Sequence, residues 1–64
     1  MEDYRELIKK KREEKHLSQR KLAKLVGITQ PFMNEIESGR KNPSIQVLQK
    51  ICEVLDIQLF SGND

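Results

Sequence analysis

The side chains able to do chemistry in this chain are amides and cations rather than a catalytic set. His16 is the only histidine and Cys52 the only cysteine. A lone histidine in a turn between candidate helices reads as a solvated residue, not a base or a ligand. A single cysteine excludes an internal disulfide and a cysteine-based zinc site. Its neighbours Leu48, Ile51 and Leu55 make it a packed core thiol. No glycine-rich phosphate loop, nucleophile–base set or metal-ligand spacing occurs, so no enzyme activity, cofactor or metal is expected. What remains is a polar group concentrated between positions 19 and 42: Gln19, Arg20, Gln30, Asn34, Glu35, Ser38, Arg40, Lys41 and Asn42. Their chemistry is non-covalent. Amides donate and accept hydrogen bonds, and cations hold anions.

The elements that must position these groups are legible in QRKLAKLVGITQPFMNEIES, residues 19–38. Leu22, Ala23 and Val26 form one apolar stripe at helical spacing, and Met33 and Ile36 form the next. Ala23 is small enough for a second helix to cross. Gly27 supplies a turn residue with positive φ at no steric cost. The spacing predicts a helix capped by Ser18 and closing near Val26. A second helix is capped by Thr29 and ends near Ser38-Gly39, with Pro31 tolerated in its first turn. Lys21 stands where a glutamate would complete a capping box after Ser18, so that box is absent. Two short helices around a glycine turn make the helix-turn-helix pattern, whose second helix enters the DNA major groove.

The flanks complete one small all-α domain of four to five helices spanning residues 1–64. A first helix is expected from about Asp3 to Lys15, with Tyr4, Leu7 and Ile8 facing inward. A fourth is expected from Ile45 to Leu55 after the loop Arg40-Lys41-Asn42-Pro43, with Ser44 as its N-cap. Asp56 tolerates the left-handed backbone of a helix end. Arg12 continues the inward stripe of the first helix, and Glu37 lies on the inward face of the third. Two opposite charges on two inward faces predict a partly buried Arg12–Glu37 ion pair, the alternative being that either side chain reaches solvent.

The chain is short enough to bury only about 60% of its unfolded surface, which favours a compact all-helical fold and leaves room for a dimer. No apolar run approaches the roughly 20 residues of a membrane span. Nothing resembles a signal peptide, so a cytoplasmic location is expected. Charge is unevenly placed: residues 1–24 hold nine Lys/Arg against five Asp/Glu, and residues 25–64 hold three against five. A basic half suits phosphate. Lys9-Lys10-Lys11 reads equally as a solvated helix face.

The stretch resembles the phage-repressor/Cro-type (XRE) helix-turn-helix family. The likeness also takes in Leu17-Ser18-Gln19 before the motif, Ile36 to Ser44 after it, and the run Leu48 to Leu55. It covers roughly residues 4–57, and Asn42 to Gln46 is similar to Sin-type repressors within the family. The resemblance implies a bacterial or phage-encoded DNA-binding protein, with the same Arg12–Glu37 pairing. It implies base reading from the third helix by Gln30, whose amide matches the N6/N7 edge of adenine. Pro31, Phe32, Asn34 and Glu35 follow as further base-facing candidates. Phe32 suits a thymine methyl or the phosphate wall. Glu35 suits cytosine N4, although its charge opposes the phosphates. Phosphate contacts are expected from Gln19 and Arg20 at a helix N-terminus, and from Ser38, Arg40, Lys41 and Asn42 in the following loop. Lys10 and Lys11 are weaker candidates.

The tail from Ile57 to Asp64 reads either as a short strand pairing with its copy in a second subunit or as the start of a fifth helix. A strand-tail dimer resembles Hip-type antitoxins. Two functions follow: a repressor binding a palindromic operator as a homodimer, or an antitoxin that neutralises a toxin protein and autoregulates through the same motif. A third is a helix-turn-helix used only as a protein-interaction module.

Overall fold

The computed structural model describes residues 4–57. Four helices follow in order: α1 (Tyr4–Glu14), α2 (Gln19–Val26), α3 (Gln30–Ser38) and α4 (Ile45–Leu55). No strand occurs among the described residues. Residues 58–64, most of the tail expected as strand or fifth helix, lie outside them. None of the helices is long and apolar enough to cross a membrane.

Each helix starts and stops for a local reason. Ser18, Thr29 and Ser44 sit in extended backbone, and their hydroxyls accept the amides of Lys21, Phe32 and Val47 at 2.9, 3.2 and 3.1 Å. These are amides that a helix N-terminus leaves without an intrahelical partner. At the other end, all four helices close on one residue in left-handed backbone: His16, Gly27, Gly39 and Asp56. The next residue then donates its amide back five positions: Leu17 to Arg12, Ile28 to Ala23, Arg40 to Glu35 and Ile57 to Cys52, at 2.9–3.0 Å. This is the Schellman closure. His16, expected only to be solvated, is exposed and is also the left-handed cap of α1, at φ 59°.

The core is one cluster of Ile8, Leu22, Ala23, Met33, Ile36, Ile51 and Leu55, drawn from all four helices. Tyr4, Leu17, Val26, Ile28, Phe32, Val47, Leu48, Val54 and Ile57 pack around it. Both α1 and α2 pack against α3 and α4. Three of the four residues that complete a Schellman closure, Leu17, Ile28 and Ile57, turn into this core, the hydrophobic contact that usually accompanies the motif. Cys52 is buried, and burial pushes its thiol pKa up. Ile45, the first residue of α4, lies outside the core at 69% exposure. At a helix start only the first turn of the chain stands beside it, so the α4 stripe begins in practice at Val47 and Leu48.

Candidate nucleic-acid interface

The third helix divides cleanly. Met33 and Ile36 are fully buried, whereas Gln30, Pro31 and Asn34 are exposed. The glycine turn holds α2 against the buried face and leaves the polar face outward. Gln30 is the first residue of α3, with Pro31 in the first turn, where a missing N–H costs nothing. Phe32, expected to face a thymine methyl or the phosphate wall, is only partly exposed. It is half-buried and packs on the core, because position 32 lies one turn before the buried Ile36 on the same side of the helix.

Behind α3 lies the ion pair that fixes its orientation. Arg12 Nε and Nη2 donate to Glu37 Oε2 and Oε1 at 2.8 and 3.1 Å, and Nη1 donates to the Leu17 carbonyl at 2.8 Å. The two side chains are only 10% and 4% exposed. All three nitrogens of the guanidinium thus have acceptors, the condition under which a buried pair is tolerated.

Gln19, at the start of α2, joins this pair. Its Nε2 donates to Glu37 Oε1 at 3.0 Å, and its Oε1 accepts from Asn34 Nδ2 at 3.3 Å. The side chain expected to reach phosphate is therefore also a bridge from the buried pair to the exposed face of α3. Beside it a solvent-open hollow is lined by Lys9, Gln19, Asn34, Glu37 and Ser38. From the basic run of α1 it is Lys9, rather than the expected Lys10 or Lys11, that borders this hollow. Lys11 instead pairs with Glu14 at 3.6 Å along its own helix. Lys9 and Lys11 lie on nearly opposite sides of α1, and the way α1 is laid across α3 decides which of them borders the hollow.

The loop after α3 is wound onto the last turn of the helix. The Glu35 carbonyl accepts from the amides of Arg40 and Lys41 at 2.9 and 3.3 Å, and from Ser38 Oγ at 3.2 Å. Arg40 completes the Schellman closure of α3, but unlike Leu17, Ile28 and Ile57 it is exposed. A cation stands at a position that the other three helix ends use to anchor the chain. Lys41 Nζ lies 3.6 Å from Glu35 Oε1, so the acidic residue on the recognition face carries its own counter-charge. Asn42 Oδ1 accepts from Arg5 Nη2, and Arg5 runs over Gly39 and against the ring of Tyr4. Arg20 is exposed near the start of α2. The structure thus brings Gln30, Asn34, Arg20, Arg40 and Lys41 to the surface. Asn34, Lys41 and the equally exposed Asn42 are each bonded to another side chain, and Gln19 and Glu35 are half-buried.

Two capped helices crossing at a glycine turn, with a polar face on the second, define a helix-turn-helix domain, the class that places that helix in the major groove of DNA. The chain belongs to the XRE-type helix-turn-helix family, whose "Helix-turn-helix" model matches residues 8–60. It is similar to the ImmF control region 10 kDa protein of Bacillus phage phi105, 42% identical over 53 residues, covering 83% of this chain and 59% of that protein. It is also similar to the HTH-type transcriptional regulator SinR of Bacillus subtilis (strain 168), 40% identical over 55 residues, covering 84% of this chain and 50% of SinR. An uncharacterized HTH-type transcriptional regulator of the same bacterium, YqaE, is 36% identical over 56 residues, covering 88% of this chain and 48% of YqaE. The chain spans about half the length of the curated relatives it matches. No solved structure matches it at a comparable level of significance.

Proposed function

We propose that this domain is the DNA-reading element of a transcriptional repressor, binding a palindromic operator as a homodimer. The observation that carries the reading is the division of α3: Met33 and Ile36 are fully buried, while Gln30 and Asn34 are exposed, as are the cations Arg20 and Arg40. In this reading Gln30 contacts a base edge, with Asn34 beside it. Arg20, Gln19, Ser38, Arg40, Lys41 and Asn42 face phosphate. Backbone contacts set register, and base contacts set sequence. The names of the relatives, a phage control-region protein and transcriptional regulators, support the same reading. One domain makes few contacts for tight operator binding, and two read half-sites about one helical turn apart.

The test is selection from a palindrome library at two salt concentrations, with sedimentation to count subunits. A selected palindrome bound by two chains is the expected result. Salt-sensitive binding without sequence preference, or no binding, overturns it and turns attention to a protein partner.

A further inference from the structure

The polar side chains where α1, α2 and α3 meet form a chain with a direction. Glu37, held on both oxygens by Arg12, is a carboxylate and can only accept. It therefore turns the nitrogen of the Gln19 amide toward itself, at 3.0 Å. An amide carries its oxygen opposite its nitrogen, so Gln19 Oε1 faces the other way and takes Asn34 Nδ2, at 3.3 Å. One of the two N–H groups of Asn34 is thereby committed to Gln19, and the oxygen of this exposed amide, one turn beyond Gln30, is directed away from Gln19. The order of donors and acceptors follows from the charge of Glu37 alone. It needs no assumption about which end of either amide is oxygen.

We infer that Asn34 is a specificity-determining residue that presents its carbonyl oxygen to the bases, its polarity set by the buried Arg12–Glu37 pair acting through the positioning residue Gln19. An acceptor in the major groove matches the amino groups of adenine N6 and cytosine N4. It opposes guanine O6 and thymine O4, which are acceptors themselves. The partner is thus an amino base (A or C) on the strand that Asn34 faces, in preference to a keto base (G or T). The inference rests on the DNA-reading function proposed above and adds to it one base position and the class of base selected there. Glu35 is also an acceptor on this helix, but it is already paired with Lys41.

The experiment compares the 64-residue chain with Asn34→Ala and Gln19→Met on half-sites randomised position by position, each protein first checked for helix content and cooperative unfolding. The parent chain is expected to prefer A or C over G or T by at least about fivefold at one position of the half-site. Asn34→Ala abolishes that preference at that position alone. Gln19→Met reduces it at the same position and, in addition, weakens binding to all sequences alike through a lost phosphate contact. An unchanged preference profile in Asn34→Ala overturns the inference. So does a keto preference that disappears in that variant, since it means the amide is reversed. A preference untouched by Gln19→Met removes the relay. A parent chain that selects no sequence instead overturns the DNA-reading function itself, and the inference falls with it.

Discussion

Arg12 and Glu37 stand 25 residues apart in sequence, yet they meet through two hydrogen bonds at 2.8 and 3.1 Å that fasten α1 to α3. The pair is not a simple gain in stability. Desolvating two charges costs several kcal/mol, and the attraction roughly offsets it. Its effect is to set orientation, because α3 must lie where Glu37 meets both Arg12 and Gln19. Removing one partner is expected to cost about 3–5 kcal/mol. A domain of this size holds about 3–10 kcal/mol in all, at roughly 0.05–0.15 kcal/mol per residue. Arg12→Met or Glu37→Met alone should thus remove a large share of the stability, and the double variant should recover much of the loss. Urea denaturation followed by circular dichroism reads this. A single variant within about 1 kcal/mol of the parent would contradict it.

Gln30→Ala tests the first base position. It should weaken binding to the selected operator by about 1–3 kcal/mol and leave random DNA bound as before. An equal loss on both, measured by fluorescence anisotropy, would reassign Gln30 to the backbone.

Arg40→Ala should behave in the opposite way. Exposed, and projecting where the other helix ends bury an apolar residue, Arg40 is suited to phosphate. Its loss should weaken operator and random DNA alike and flatten the dependence of log affinity on log salt by about one unit. A slope identical to the parent's would remove it from the contacts.

The left-handed helix ends predict a pair of opposite effects. Gly27 has φ 93°, and a Cβ placed there meets nothing within 4 Å. Gly27→Ala should therefore cost only backbone strain, about 1–2 kcal/mol. His16 already bears that strain at φ 59° with a side chain. His16→Gly should raise stability by about 0.5–1 kcal/mol, the relief of strain outweighing the extra freedom of glycine in the unfolded chain. Thermal melts of both variants decide it; a destabilised His16→Gly would mean that the imidazole holds something in place.

Cys52 supplies the pH dependence. Burial favours its neutral form, so the folded thiol ionises at higher pH than the unfolded one. Its contribution is fully present below the ordinary thiol value of 9.0 and is lost as pH rises from there through the raised folded value, where the unfolded chain releases the proton first. Cys52→Ala should lose less stability than the parent between pH 8 and alkaline pH, about 10 on the scale of lysine and tyrosine titration common to both chains. Native Cys52 should also react with iodoacetamide far more slowly than the chain in denaturant. Equal alkylation rates would show the thiol open to solvent.

Much of this domain was written in short-range patterns. Ser18, Thr29 and Ser44 bond amides three residues on, so each N-cap is a local event with a local signature. Gly27 and Gly39 mark two helix ends for the same reason. The helical spacing of Leu22, Ala23, Met33 and Ile36 already implied two inward faces, and the opposed charges at positions 12 and 37 implied that they meet. His16 as a helix cap was missed, because the left-handed conformation is rarely taken by histidine and is imposed here by the closure onto Arg12.

The sequence by itself therefore determined the helices, their ends other than that at His16, and the buried stripes, since each depends on contacts within about one turn of helix, and it carried the family likeness. What the exposed face of α3 can offer was decided only by tertiary structure. Phe32 turned to the core, Lys41 to Glu35, and Gln19 became a link between Glu37 and Asn34, 18 and 15 residues away. An amide or a lysine carries no local preference for a partner. Which one it takes is settled when packing of apolar stripes fixes the helix axes, and the polar groups then pair with whatever that packing has brought within reach.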